Sequence, residues 1–434
     1  MAVIDYLYVL SIISIWVSIG MTLVTLSGGV LFLLRHLHRT DVDDLPPLRR
    51  TPRVTVVVPA HNEELVIQDT VKAILRLNYP ADCLEVLVYA DNCQDQTAVA
   101  ARSLLTWTEF QGRNLTVIER TGTGGKAGVL NDALAIATGE YLGVYDADAA
   151  PERNALYFLV QKVLEDPDRY AAAFGRNKTR NYQQNFLTRC INLEIINTQR
   201  IQHTGLWQLF KIGRIPGTNF IINKQVVQEL GGWHNGALTE DTEISFNLMR
   251  RDKLIALAHR AEAFQQEPET LFAYYNQRKR WARGNYEVLG ANLKHLFDRS
   301  PWRIKLEVLY YMCTFFWFNA AIVISNVTFL GNGFLALMQW ENPALHTMLN
   351  LDGPVAFLFL VNWFLMFYLY LLQLNIALAS DYGQATVKNF LYSLVAYFTY
   401  AQLFIVVALA AVWDICRDRV TGKRRTQWYK TQRF

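Results

Sequence analysis

Charge is scarce in this chain, and the features of a disulfide-built or nucleic-acid-binding protein are missing. Only 18% of its 434 residues are Asp, Glu, Lys or Arg, against 52% hydrophobic residues, a balance too apolar for one soluble domain. The five cysteines, at 83, 93, 190, 313 and 416, are odd in number and show no paired metal spacing. They fit a reducing compartment rather than a disulfide framework. A net charge of +4 without a basic and aromatic stripe leaves no footprint for nucleic acid.

The missing charge is missing in blocks. Residues 6–34, 308–340, 353–380 and 389–413 hold no charged side chain, and each is long enough for the roughly 20 helical residues that cross a bilayer. A multi-pass protein of the cell membrane is expected. Asp5 precedes the first block, Arg35, His36, His38 and Arg39 lie just after it, and it has no small-residue cleavage site. Residues 1–35 therefore read as a retained anchor, not a secretory signal, and the positive-inside rule places residues 35 onward in the cytoplasm.

The later blocks, within 306–415, create a parity conflict. Three crossings would put the C-terminus outside, yet 416–434 carries Arg417, Arg419, Lys423, Arg424, Arg425, Lys430 and Arg433, which belong inside. At about 1.5 Å per residue, 308–340 is longer than one crossing and too short for two. An interfacial start or a break near Gly331 and Gly333 would reconcile the length. Asn319, Asn326, Asn362, Gln373, Asn375 and Gln402 lie in these blocks, either joining helices or lining a path for an uncharged polymer.

A linker, 36–53, with the pair Pro46–Pro47, leads into a polar domain at 54–275. Val54–Val58 is a β-branched run, Asn62–Leu77 has apolar residues at helical spacing, and Glu85–Tyr89 is apolar again, which makes a βαβ unit. Leu115–Ile118, Gly128–Ala137 and Tyr141–Tyr145 repeat the alternation, so an α/β domain with a mostly parallel, Rossmann-like sheet is expected. Residues 181–209 read as a helical insertion after the sheet. Trp233, after Gly231 and Gly232, is either a packed aromatic or a sugar contact.

Parallel sheets bind ligands at the carboxyl edge of their strands. The first strand ends at Ala60, His61, Asn62 and Glu63, the second at Asp91, and the fourth at Asp146, Ala147 and Asp148. A single Asp after a strand is commonly a turn or cap residue; three strands delivering carboxylates to one edge are harder to explain that way. Asp146 and Asp148, one residue apart, suit a hard cation, Mg2+ or Mn2+, whose shell substrate phosphates complete. Gly122, Gly124, Gly125, Lys126 and Gly128 add a flexible loop and a point charge at a helix start, where diphosphate oxygens are well received.

Thr239, Glu240 and Asp241 read as a helix cap with an acidic first turn, a position that also fixes a catalytic side chain. Gln277, Arg278, Lys279, Arg280 and Trp281 open an interfacial stretch, 276–305, in front of the membrane blocks. Arg278 and Lys279 are best explained as headgroup contacts.

In this order, Val57–Glu63, Asp91–Thr97, Gly125–Asn131, Asp146–Asp148, Thr239–Asp241 and Gln277–Trp281 resemble the family 2 glycosyltransferases over residues 54–285. More narrowly, they resemble the membrane-embedded processive synthases of chitin, hyaluronan, cellulose and poly-N-acetylglucosamine. The resemblance implies a GT-A fold. It also implies that Ala60, Glu63, Asp91, Lys126 and Asp146 line the nucleotide of a UDP-sugar donor and that Asp148, with Asp146, holds the metal. Asp241 would be the general base with Glu240 beside it, Gln277 and Arg280 would contact the diphosphate, and Trp281 would carry the acceptor sugar. One departure stands out: Ala90 occupies a place where many relatives carry a second Asp. The expected function is an inverting, processive transferase, using UDP-GlcNAc or UDP-glucose, that extends and secretes a β-linked polysaccharide, with accessory membrane subunits as further partners. Single addition to a glycolipid acceptor, or a transport subunit with a dead nucleotide fold, are the alternatives.

Overall fold

The computed structural model describes residues 3–36, 45–344 and 354–422. Among the described residues, eight strands form one sheet: β1 (Val54–Ala60), β2 (Leu84–Asp91), β3 (Asn114–Arg120), β4 (Tyr141–Val144), β5 (Ala150–Pro151), β6 (Tyr170–Thr179), β7 (Phe220–Asn223) and β8 (Leu254–Gln265). Their spatial order is β3-β2-β1-β4-β7-β6-β8-β5. The first four are mutually parallel, as the βαβ pattern predicts. β7 runs antiparallel between β4 and β6, and β5 antiparallel to β8.

Val54 to Val58 are almost wholly buried, because helices cover both faces of the parallel half and leave no solvated side. The amphipathic helix Ile67–Leu75 buries Ile67, Val71, Ile74 and Leu75 against it. The helical segment predicted at 181–209 is present as Phe186–Asn197, a π-helical stretch at Thr198–His203, and Thr204–Phe210. It does not come after the sheet, however; it intervenes between β6 and β7.

Among the described residues, four helices are long and apolar enough to cross a membrane: Val9–His36, Trp302–Ile324, Val361–Ala379 and Val387–Thr421. The N-terminal helix meets the polar domain at backbone distance. A Cβ on Gly28 would lie 2.6 Å from the carbonyl oxygen of Gly205, and one on Gly205 would lie 2.1 Å from that of Thr25, so only glycines permit this crossing.

The predicted break near Gly331 and Gly333 is not found, since Phe318–Met338 is one helix. The irregularity lies earlier, in a π-helical turn at Cys313–Trp317. Before that turn comes a first segment, Trp302–Met312, whose Ile304, Glu307 and Val308 are buried in the polar domain's core contacts. Val387–Thr421 is not one straight helix either. It divides at Thr399 (φ −122°, ψ −74°) into Val387–Phe398 and Tyr400–Thr421. Asn389 accepts from Arg189 at 3.1 Å, the Tyr400 hydroxyl donates to Glu194, and Asp418 pairs with Arg283 at 2.9 Å. The start, middle and end of this candidate span all touch the polar domain or its interfacial helix. Of the polar side chains in the apolar blocks, Asn326 and Gln402 join two helices at 2.6 Å, while Asn319 and Asn375 donate to carbonyls four residues back in their own helices. Residues 423–434, and with them most of the basic tail, lie outside the described residues, as does linker segment 37–44.

Candidate active site

The carboxyl edge of β1, β2 and β4 gathers the predicted residues. Behind β1, the chain turns through Asn62 at φ +54°. Asn62 Oδ1 accepts from the Gln94 amide at 2.7 Å, and His61 Nδ1 meets the Asp91 carbonyl at 2.7 Å. Ala60 is buried in the β1 core position, and Glu63 is 9% exposed, its amide donating to Thr97 Oγ1. The two strand-ends are thus stitched together.

Although Ala90 leaves Asp91 without an acidic neighbour, Asp91 does not stand alone. Arg120, the last residue of β3, donates from Nη1 to Asp91 Oδ1 at 2.6 Å and from Nε to Asp132 at 2.5 Å. A third strand ending at Ile118, as the apolar run suggests, leaves this cation out. The rule that points to Asp91, looking at each strand's carboxyl end, points to Arg120 once the strand is extended by two residues.

The glycine-rich segment forms a helix start. Gly124, at φ +86°, caps the helix Gly125–Ile136, and Lys126 in its first turn points across the cleft. Its Nζ donates to Asp146 Oδ1 at 2.6 Å and to the Gly217 carbonyl at 2.7 Å, and lies 3.4 Å from Glu240 Oε1. Burial alone would favour the neutral amine, but the carboxylates of Asp146 and Glu240 outweigh it and hold Lys126 firmly charged. The Asp146 amide donates to Thr218 Oγ1 at 3.0 Å, while Asp148, only 8% exposed, accepts from the Gln266 amide at 3.3 Å.

Glu240 and Asp241 occupy the first turn of the helix Glu240–Arg250, with Thr239 at the cap. Asp241 is desolvated by burial and lies beside Glu240, and together these raise its pKa to about 7, although Lys126 and Arg280 pull the other way. A carboxylate tuned to neutral pH can accept a proton from a hydroxyl and be restored at physiological pH.

The helix Leu271–Asn292 closes the site. Gly284 sits where a Cβ would be 2.6 Å from Thr239, so the helix packs directly on the acidic turn. Arg280 donates to the Leu238 carbonyl at 3.2 Å, and Gln277 Oε1 is buried with no hydrogen-bond partner among the described residues. Trp281 is half-buried, one face covered by the Arg278 guanidinium 4.6 Å away.

The headgroup reading of Arg278 and Lys279 does not hold. Arg278 is paired with Glu194 at 2.8 Å and Lys279 with Asp414 at 3.0 Å, so both tie this helix to its neighbours. Trp233, for which two roles were open, is 4% exposed in the core, with its backbone clasped by Asn131.

Asp146 and Asp148 can supply two carboxylate oxygens, as many as a Mg2+ or Mn2+ ion needs when phosphates complete its shell. No cluster of three or more acidic, His or Cys side chains that could hold an ion occurs among the described residues, so substrate oxygens would have to complete the coordination. Each of the two carboxylates is already engaged, Asp146 by Lys126 and Asp148 by the Gln266 amide.

The family model "Glycosyltransferase like family 2" matches residues 52–284, the stretch that contains the whole constellation. The chain belongs to glycosyltransferase family 2. "Probable glycosyltransferase YdaM" of Bacillus subtilis is 34% identical over 99% of this chain and 98% of that protein. The beta-monoglucosyldiacylglycerol synthase of Synechocystis is 28% identical over 63% of this chain, which spans 57% of that enzyme. The poly-beta-1,6-N-acetyl-D-glucosamine synthase of Staphylococcus aureus is 25% identical over 62% of this chain and 64% of that enzyme. In structure, the glycosyltransferase superposes on the mannosyltransferase PcManGT of Pyrobaculum calidifontis, solved with GDP-Man and Mn2+, with a TM-score of 0.54 at 19% identity. That match covers 89% of this chain and 99% of that one, which identifies the GT-A-like fold.

Proposed function

We propose that this glycosyltransferase transfers sugar from a UDP-sugar to a growing β-linked polysaccharide, with inversion, on the cytoplasmic face of the cell membrane. The observation that carries the reading is the placement of Asp241, with its pKa near 7, across from the Lys126–Asp146 pair under a helix bearing Gln277 and Arg280. In this assignment Asp241 takes the proton of the acceptor hydroxyl as it attacks the anomeric carbon, and the nucleoside diphosphate leaves from the opposite side. Lys126 and Arg280 are fixed positive charges where leaving-group charge grows, which is where preorganised electrostatics contribute most. Glu63, Asp91 and Ala60 line the nucleotide, and Gln277, whose Oε1 has no hydrogen-bond partner among the described residues, contacts the diphosphate through its NH2 group. A divalent ion held by Asp148 and Asp146 would neutralise diphosphate charge.

The fold also supports an orientation. With Val9–His36, the helix that starts at Trp302 and Pro354–Ala379 as three crossings, and with both ends of Val387–Thr421 beside the glycosyltransferase domain, the N-terminus lies outside and the basic tail inside. The parity conflict then disappears.

Single addition to a lipid acceptor is a second reading. The hydrogen bond between Asn326 and Gln402 favours it, because side chains that join helices are withdrawn from any polymer path, and the Synechocystis relative is named a beta-monoglucosyldiacylglycerol synthase. Purified full-length protein with Mn2+ and a panel of UDP-sugars decides the matter. UDP release with long product supports the polymer reading, and product of one added sugar supports the lipid reading. Absence of turnover with every donor overturns both.

A further inference from the structure

The segment 211–219 is held from two directions. On the catalytic side the Ile215 amide donates to Ser245 Oγ at 3.0 Å, and that hydroxyl donates to the Asp241 carbonyl at 2.7 Å. Gly217, at φ +82°, then presents its carbonyl to Lys126 and its α-carbon to Asp241. Thr218 accepts from the Asp146 amide.

On the membrane side the anchor is Arg214. Its guanidinium is bidentate to Glu307, through Nε to Oε1 and through Nη2 to Oε2 at 2.8 Å, and it lies over the rings of Tyr310 and Tyr311 at 4.5 and 5.1 Å. Glu307 is 0% exposed and stands on Trp302–Met312, the start of the first candidate span after the catalytic domain. Burial would strip charge from Arg214, yet Glu307 overcomes this and keeps it cationic. Tyr311 also meets Phe246, on the Asp241 helix, edge to face at 5.3 Å.

A buried ion pair is an expensive way to hold two elements together, since an apolar pair of similar size is often as stable or more so. What the fork-to-carboxylate geometry adds is direction. Two parallel bonds fix where Arg214 lies, and Pro216 and Gly217 come within the next three residues.

We propose that Glu307 is a positioning residue for the transfer reaction: through Arg214 it sets the 213–219 loop against Asp241 and Asp146. The proposal rests on the assignment of Asp241 as base. It makes the first residues of a membrane helix part of the catalytic alignment.

The test uses the full-length protein and three variants: Glu307→Gln, the apolar double variant Arg214→Met with Glu307→Leu, and the exchanged pair Arg214→Glu with Glu307→Arg. Turnover is measured with the UDP-sugar that wild type accepts, UDP affinity by calorimetry in Mn2+, and folding by melting temperature. The apolar double variant is expected to melt with wild type and to bind UDP within twofold of it, while kcat falls at least tenfold; the exchanged pair recovers part of that loss. A folded apolar double variant with kcat within twofold of wild type overturns the proposal, and so does parallel loss of kcat and UDP affinity. Wild-type protein that binds UDP and turns over, but is indifferent to Asp241→Asn, overturns the base assignment on which it stands.

Discussion

A Cβ placed on Gly217 would lie 3.1 Å from Oδ2 of Asp241. The glycine packs directly against this carboxylate, and its φ of +82° is one that other residues adopt only with strain. Gly217→Ala is expected to push into Asp241 and strain the loop at once, lowering kcat at least tenfold while UDP affinity changes little. Steady-state kinetics alongside UDP calorimetry measure the two effects separately.

Asp241→Asn removes the proposed proton acceptor without changing the shape of the site. General-base catalysis is typically worth about 10²–10⁴-fold, so kcat should fall by that order in a protein that still binds UDP. Turnover undiminished in this variant would remove Asp241 from the chemistry.

In the proposed mechanism the same residue sets the pH profile. Its folded pKa is raised from 3.8 to about 7 by desolvation and by Glu240, and the charged form is the one that acts as base. Activity, read as kcat/KM, should therefore be high above pH 7 and be lost as pH falls through about 7. Stability runs the other way. The native state binds this proton more tightly than the unfolded chain, so the contribution is full below about 4 and is lost as pH rises through 7.

Much of this site is legible in the sequence because its residues obey one rule. Ala60, Glu63, Asp91, Asp146 and Asp148 come at strand ends, and a buried β-branched run such as Val54–Val58 reveals a strand end plainly. Arg120 escapes because β3 is half-exposed and its last residues, Glu119 and Arg120, look like surface charge. The contacts that Gly217 and Thr218 make with Asp241 and Asp146 escape for another reason: they depend on β7, whose four residues, Phe220–Asn223, are too short a pattern to place in a sheet. Arg278 and Lys279 mislead because their partners, Glu194 and Asp414, are distant in sequence, and no local pattern distinguishes a paired cation from one that faces lipid headgroups.

Arg120 supports Asp91 by a partly buried ion pair. Arg120→Ala leaves that carboxylate, 6% exposed, without its cation and with only the Asn92 side-chain amide donating to it, which is destabilising. A lower melting temperature together with weaker UDP binding is the expected result. Unchanged UDP affinity would place Asp91 away from the nucleotide.

Chelation with EDTA should abolish turnover, and added Mn2+ should restore it. Asp148→Asn should then raise the Mn2+ concentration needed for half-maximal activity by at least tenfold. Asp146→Asn should raise it as well.

The contact between Gly28 and Gly205 orders events during synthesis. The N-terminal helix leaves the ribosome first, yet the surface that fits its glycines is translated only with the helix Thr204–Phe210. Until then the helix lacks the surface that its glycines fit, and that contact cannot form. A soluble version of the domain, cut free after residue 36, would carry that imprint with nothing to fill it.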